Sequence, residues 1–124
     1  MTKWFCPYCW YELKEEEDNV CSNCGADLSG FSILSYDEKL ILGLNSPITQ
    51  NRMFVIYVLG KRKVSMAIPE LCKMLSKEKD TYELLEIIKA MLAINREEAK
   101  KCLKKADLKE NTIIRRYLEQ NGII

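Results

Sequence analysis

Four cysteines near the start of the chain are the residues best suited to chemistry. They form two C-x-x-C pairs, separated by eleven residues, at Cys6, Cys9, Cys21 and Cys24. Each C-x-x-C turn brings two thiolates to one side of a reversing backbone, and two such turns make a tetrahedral four-thiolate site. Gly25 follows the second pair, where a positive φ is available. The spacing therefore predicts one metal ion held by the four sulfurs.

Zinc is the expected metal, and three other chemistries stay open for these thiols. They are a single iron in a rubredoxin-like site, disulfide pairing, and a thioredoxin-like redox C-x-x-C. A module of this size cannot bury enough core to fold alone, so a bound metal would supply folding energy. Four cysteines would also leave no open coordination position for catalysis. We therefore expect one structural Zn²⁺.

The residues around the cysteines resemble a known module. The pattern C-P-Y-C-x-x-E-L … V-C-S-N-C-G-A-D-L, over residues 6–28, is similar to the short prokaryotic zinc ribbon, usually C-P-x-C-G-x-x-L … C-x-x-C-G-x-x-L. Leu13 and Leu28 match the leucines of that pattern. The resemblance implies a small β-hairpin or pair of knuckles around zinc. Trp10 stands where the family has glycine, which predicts a departure from the standard first turn and an indole that packs the module against its neighbour.

The rest of the chain has the periodicity of helices. Ser35 and Glu38 form a capping-box pattern at the start of the first long helix. Gly60 is expected to end the second helix before a basic turn, and Pro69 is expected in the first turn of the third. No alternating strand pattern occurs in this stretch. The predicted helices are 36–43, 48–59, 67–75, 81–94, 96–106 and 112–120.

Two helix–turn–helix units of about 30 residues recur in this region. Cys72 and Cys102 occupy similar places in the two units, 30 residues apart, and are expected to be buried thiols that act as small hydrophobic side chains. Residues 44–71 resemble a HEAT repeat of the type found in phycobilisome-lyase-like proteins. The features that carry this resemblance are Ser46-Pro47, Arg52, Leu59-Gly60 and the run Ala67-Ile68-Pro69-Glu70-Leu71.

These patterns together predict a mostly α fold. We expect a short HEAT-like α-solenoid that carries a small N-terminal four-cysteine zinc ribbon. The predicted domains are a zinc ribbon at residues 1–30 and a HEAT-like helical repeat domain at residues 31–124. The helices at 36–43 and 112–120 are expected to cap the stack, since solenoid units bury their apolar faces only against neighbours.

Composition argues against several classes of protein. The 124 residues include no histidine, the commonest general base, and the five glycines form no phosphate loop. We therefore expect no enzyme activity and no small-molecule substrate. The longest apolar run, residues 53–59, is far shorter than the roughly 18–20 residues that cross a bilayer, and no secretory signal opens the chain. A cytoplasmic location without membrane insertion is expected, where thiols stay reduced.

The remaining expectation is a protein that works by binding. We expect a non-enzymatic adaptor or regulatory subunit that docks on another protein or a multisubunit complex. One alternative is a nucleic-acid-binding accessory factor, because residues 31–124 carry 17 Lys and Arg against 12 Asp and Glu. A second is a redox- or oxygen-responsive regulator whose zinc thiolates sense oxidation. Because interface anchors are often aromatic or basic, the predicted partner contacts are Trp4, Tyr8, Trp10, Lys61, Arg62 and Lys63.

Overall fold

The computed structural model describes residues 4–13, 19–77, 80–106, 108 and 110–123. In these residues the regular structure is helical, which confirms the mostly α prediction, while the solenoid arrangement stays a prediction. A 3₁₀ turn at Ser65–Ala67 precedes α4. The α-helices are α1 (Ser29–Ser32), α2 (Tyr36–Gly43), α3 (Thr49–Arg62), α4 (Ile68–Lys77), α5 (Thr81–Ile94), α6 (Arg96–Lys105) and α7 (Thr112–Gln120).

The longest of these helices have 14 residues. Within the described parts of the chain, no helix has the length and apolar character that a bilayer span requires.

The chain divides into two compact units, Met1–Val55 and Ile56–Ile124. The first unit contains the cysteines, α1, α2 and the first half of α3. The second unit contains the rest of α3 and α4 to α7. The boundary at residue 30 stays a prediction.

Short polar side chains set the starts of four helices. Ser35 and Glu38 form the predicted capping box: the Ser35 N–H donates to Glu38 Oε1 at 3.1 Å, and the Glu38 N–H donates to Ser35 Oγ at 3.2 Å. Asp80, Asn95 and Asn111 accept backbone hydrogen bonds at the starts of α5, α6 and α7. These caps satisfy N–H groups that have no partner within the helix. They explain why the predicted starts at residues 36, 81, 96 and 112 are confirmed.

The prediction that Gly60 ends α3 was wrong, because the helix continues to Arg62. The next residue, Lys63, has φ +52 and lies outside the helix. The Lys63 N–H donates to the Gly60 carbonyl and the Val64 N–H to the Leu59 carbonyl, both at 3.2 Å, which is the pattern of a Schellman motif.

Gly60 instead allows two helices of the second unit to approach closely. A Cβ at this position would lie 3.0 Å from Ala90 Cα and 3.1 Å from Ala90 Cβ in α5. Such distances are shorter than ordinary carbon contacts. The absence of a side chain at Gly60 therefore serves the close packing of α3 on α5. It does not serve to end α3.

Helix α5 is the centre of the second unit. It packs against α4, α6 and α7, and its sequence is the most apolar of the long helices. Its inward face is fully or almost fully buried, as are residues of α4, α6 and α7 that meet it. The buried residues of these four helices include Leu71, Leu75, Leu84, Ile87, Ile88, Met91, Ala99, Leu103, Ile114 and Leu118.

Cys72 of α4 and Cys102 of α6 form a disulfide, so the prediction of two buried thiols was wrong. The two helices pack against each other as well as against α5. The Cα atoms of Cys72 and Cys102 are 6.0 Å apart, within the range that a disulfide spans. The sequence places the two cysteines at similar positions of successive helical units, but only the packing of α4 on α6 brings them together.

Candidate metal centre

The four cysteines lie on two turns that share one backbone pattern. We call them the first knuckle (residues 6–10) and the second knuckle (residues 21–25). Each knuckle is enclosed by one isolated antiparallel bridge, and no longer strand is present in the described residues. The two bridges are Phe5–Glu12 and Val20–Asp27. Of the β-hairpin or pair of knuckles implied by the zinc-ribbon resemblance, the described residues show two short knuckles.

The two knuckles bring the four sulfur atoms together. All four Sγ atoms lie within 4.8 Å of one another. The distances from Cys6 Sγ to Cys24 Sγ and from Cys9 Sγ to Cys21 Sγ are both 3.7 Å. Four sulfurs placed tetrahedrally at about 2.3 Å from one zinc ion lie about 3.8 Å apart, so these distances fit such a site. The four cysteines identified from their spacing form a cluster that can hold one metal ion.

Apolar residues cover one side of the cluster. Cys6 and Cys21 are buried, and Leu28 packs with them, while Leu13 is partly buried against the same group. The two leucines that match the zinc-ribbon pattern therefore help to shield Cys6 and Cys21 from water. The Tyr8 N–H also donates to Cys6 Sγ at 3.4 Å, and such donors stabilise the charge of a thiolate ligand.

The two cysteines nearer to solvent differ in acidity. A hydrogen bond from Asn23 Nδ2 to Cys9 Sγ, 3.5 Å long, lowers the pKa of Cys9 to about 6. The pKa of Cys24 has the opposite shift. A backbone hydrogen bond from Ala26 lowers it, but desolvation and the neighbouring sulfurs raise the pKa of Cys24 to about 12. Before metal binds, the lowered pKa of Cys9 favours its thiolate and the raised pKa of Cys24 favours its thiol.

This difference predicts how metal affinity depends on pH. Metal binds the thiolate, so the proton on Cys24 must leave at every pH well below 12, whereas Cys9 has already lost its proton above about pH 7. We expect the apparent affinity to rise at least about tenfold per pH unit between pH 7 and 9. Competition with a chromophoric chelator at three pH values measures this slope. A flat affinity over that range would show that no proton is displaced.

Trp10 adopts the conformation that the ribbon pattern assigns to glycine. Its φ is +63, close to the +75 of Gly25 in the second knuckle. The Trp10 N–H donates to the Cys6 carbonyl and the Gly25 N–H to the Cys21 carbonyl, both at 2.8 Å. The first turn therefore keeps the geometry of the second, and the departure predicted from Trp10 was wrong.

The indole of Trp10 explains why a large residue is tolerated at a strained position. Together with Leu42 of α2 and Val55 of α3, it lines a cavity of about 20 Å³ within the first unit. That Trp10 packs the cysteine-bearing segment against its neighbour stays a prediction. Partial burial of this ring offsets the cost of left-handed backbone, about 1–2 kcal/mol for an L-residue.

Strain and packing at Trp10 can be separated by two substitutions. Trp10→Ala and Trp10→Gly both remove the indole, but only glycine is unstrained at φ +63. We expect Trp10→Gly to be about 1 kcal/mol more stable than Trp10→Ala in denaturant unfolding of the metal-bound protein. Gly25→Ala is the matched control, because a Cβ added at Gly25 would meet nothing within 4 Å. This variant should lose a similar amount of stability through its positive φ alone. Equal stability of the two Trp10 variants would contradict the strain.

Trp4 connects the cysteine-bearing segment to the first helices. Its ring makes edge contacts with Phe31 of α1, at a centroid distance of 6.4 Å, and with Tyr36 of α2, at 5.3 Å. Lys39 Nζ lies 5.4 Å from the Trp4 ring and 5.2 Å from the Phe31 ring. Sequence reasoning missed Phe31, Tyr36 and Lys39, since no local pattern relates them to Trp4.

The predicted partner contacts lie in different surroundings. Tyr8 is 69% exposed, whereas Trp4 and Trp10 are half-buried within the first unit. The basic residues Lys61, Arg62 and Lys63 are all exposed at the end of α3 in the second unit. Their role as partner contacts stays a prediction.

Comparison with known proteins adds no family to this description. A scan against protein-family models, a search of curated proteins and a search of solved structures each find no match for the chain. The resemblances to a zinc ribbon and to HEAT repeats therefore rest on the residues quoted above.

Proposed function

We propose that the protein is a non-enzymatic adaptor or regulatory subunit that docks on a larger protein or multisubunit complex. The observation that carries this proposal is the set of four cysteine sulfurs within 4.8 Å of one another. They fill the four positions of a tetrahedral metal and leave none for a substrate or a reactive water. A metal enclosed in this way stabilises a small module, which then acts through the surface that it presents.

Zinc is the metal that we propose for this site. Four thiolates suit zinc and iron alike. Support for zinc comes from the ribbon-like pattern of residues 6–28 and from Leu13 and Leu28, which match that pattern and pack with Cys6 and Cys21. Metal analysis separates the two, because a ferric four-thiolate site absorbs visible light and a zinc site is colourless.

Tyr8 links the metal site to a surface for a partner. Its backbone N–H donates to Cys6 Sγ, while its side chain is 69% exposed on the same knuckle. A metal that fixes the sulfur therefore fixes the backbone from which the aromatic ring projects. Exposed aromatic side chains on a rigid backbone are frequent anchors of protein interfaces. Val20 and Ile33 of the same unit are exposed as well.

The second unit presents a separate groove between α3 and α5. The groove has a volume of about 390 Å³, and its lining includes Tyr57, Lys61, Lys89 and Ala90. Lys61 Nζ lies 5.5 Å from the Tyr57 ring centroid. Glu86 also lines the groove and pairs with Lys89 at 3.6 Å. An aromatic ring beside side chains of both charges favours a protein partner with a mixed surface over a purely apolar one.

Two observations support the proposed HEAT-like arrangement. Arg52 Nη1 of α3 donates to the Ser46 carbonyl at 2.8 Å, so two features of the repeat-like segment contact each other. In the second unit, α5 packs against both α4 and α6, as successive helices of stacked repeats do. Repeats of this kind commonly serve as protein-binding scaffolds.

The test is co-purification of the tagged, metal-bound chain from its native cells with nuclease present and oxygen excluded. We expect one stoichiometric protein complex, identified by mass spectrometry, that binds Tyr8→Ala at least about tenfold more weakly. Metal content and thermal unfolding of this variant should be unchanged. Tyr82→Ala is the matched control, since Tyr82 is 77% exposed in the second unit and lies outside the groove. Equal binding by both variants would remove Tyr8 from the interface.

A nucleic-acid-binding accessory factor is the second candidate. The observation that favours it is the exposed basic run Lys61 to Lys63 at the end of α3. Against it, Lys101 of the basic helix α6 pairs with Glu98 at 3.7 Å, so part of that charge is compensated. Nucleic acid that co-purifies without nuclease, with no protein partner after nuclease, would support this candidate over the adaptor.

A further inference from the structure

The Cys72–Cys102 disulfide closes a loop of the chain that contains α5, the central helix of the second unit. The two residues are 30 positions apart, and α5 lies between them in the chain and packs against both bridged helices. Cys102 is only 6% exposed and lies beside Leu103 on the buried face of α6. Cys72 is half-buried on α4. Cys72 is thus the more exposed of the two bonded residues.

The chain carries two thiol systems with opposite redox requirements. The four-sulfur cluster binds metal only as thiolates, which are the reduced form. The Cys72–Cys102 bond is the oxidised form of its pair. Both states coexist in one molecule if the metal shields its four thiolates while the pair in the second unit exchanges with thiols in the surroundings.

We propose that Cys72 and Cys102 form a reversible thiol–disulfide exchange site that responds to small thiols and their disulfides. An external thiolate attacks Sγ of Cys72, the more exposed residue of the pair, which forms a mixed disulfide and releases Cys102 as a thiolate. A second thiolate attacks the external sulfur of the mixed disulfide, which releases Cys72 and one external disulfide. Two electrons pass from two external thiols to the pair, and the reverse sequence closes the bond.

The exchange changes the stability of the second unit. The bond holds α4 against α6 and limits the unfolded chain between residues 72 and 102. Its reduction is expected to lower the melting temperature of this unit by about 10–25 °C. The proposal does not rest on the adaptor function, because it concerns a pair of cysteines outside the metal cluster.

The first experiment uses the full metal-bound chain in buffers of reduced and oxidised glutathione. Samples are quenched in acid, unfolded, alkylated and measured by mass spectrometry, with metal content followed in parallel. We expect the bonded fraction of Cys72 and Cys102 to follow the glutathione ratio reversibly while one metal per chain is retained. A bond that never forms, or one that no glutathione ratio opens, would overturn the proposal.

Two single variants test which sulfur reacts first. In Cys102→Ser, Cys72 should form a mixed disulfide with oxidised glutathione at least about ten times faster than Cys102 does in Cys72→Ser, because access limits the reaction. Equal rates would overturn the assignment of Cys72 as the entry point.

The thermal effect has its own control. The wild type should melt lower in reduced than in oxidised glutathione, by the range given above. The double variant Cys72→Ser/Cys102→Ser should melt at one temperature in both buffers. A wild type whose melting temperature is the same in both would contradict the proposed effect on stability.

Discussion

Replacing Cys21 by serine is expected to remove the bound metal and the ordered structure of residues 4–13 and 19–28. Cys21 is buried, and its sulfur lies 3.7 Å from that of Cys9. Loss of one of four ligands should weaken metal binding by more than the roughly 10–100-fold that follows loss of a hydrogen bond to a ligand. The buried cluster of Cys6, Cys21 and Leu28 has little other core, so we expect it to unfold without metal. Metal analysis and amide hydrogen exchange measure the two effects.

Asn23→Ala is the matched control for this substitution. It leaves all four sulfurs and removes only the hydrogen bond from Asn23 Nδ2 to Cys9 Sγ. We expect it to retain one metal per chain, with affinity reduced by no more than about 100-fold. Helical content of the second unit should be unchanged in both variants. A Cys21→Ser protein with full metal content and normal exchange protection would show that the cluster is not a metal site.

Replacing Gly60 by leucine is expected to destabilise the second unit by about 3 kcal/mol, at the upper end of the range for overpacking. The Cβ atom alone would lie 3.0 Å from the backbone Cα of Ala90, which moves only if α3 and α5 separate. Leucine is a good helix former, so the loss cannot be assigned to helix propensity. Denaturant unfolding should give this value, and the melting temperature should fall by roughly 12–24 °C.

Gly30→Leu provides the comparison, because a Cβ at Gly30 in α1 meets nothing within 4 Å. Its effect should remain within about 0.5 kcal/mol, as is usual for surface substitutions. A second check is Ala90→Gly, which removes the opposing methyl group. Gly60→Ala combined with Ala90→Gly should cost less than the sum of the two single changes. Strict additivity would contradict close contact between α3 and α5.

Features determined by nearby residues could be predicted from the sequence. The polar caps Ser35, Asn95 and Asn111 accept hydrogen bonds from N–H groups within three residues. The helix starts predicted from the sequence at these caps therefore agree with those in the structure. The C-x-x-C spacing likewise identifies all four cysteines of the cluster, because each turn depends on residues between its own pair. In both cases the controlling interaction lies within one turn of backbone.

Features that depend on contacts between distant segments could not be predicted in this way. Gly60 has the usual pattern of a helix end, but Ala90, thirty residues later, determines its role. Cys72 and Cys102 fit the pattern of ordinary core residues until α4 packs on α6. The conformation of Trp10, with its positive φ, was missed for a related reason, since the residues that line a cavity with its indole, Leu42 and Val55, are distant in sequence.

The most direct test of the metal centre is X-ray absorption spectroscopy on the purified chain, combined with elemental analysis. We expect one zinc ion per chain and a first shell of four sulfurs at about 2.3 Å, in agreement with sulfur–sulfur distances of 3.7 Å. The same sample should lose this shell when Cys21 is replaced by serine. A chain that retains no metal after refolding with zinc, or a shell that contains nitrogen or oxygen in place of sulfur, would contradict the four-cysteine centre.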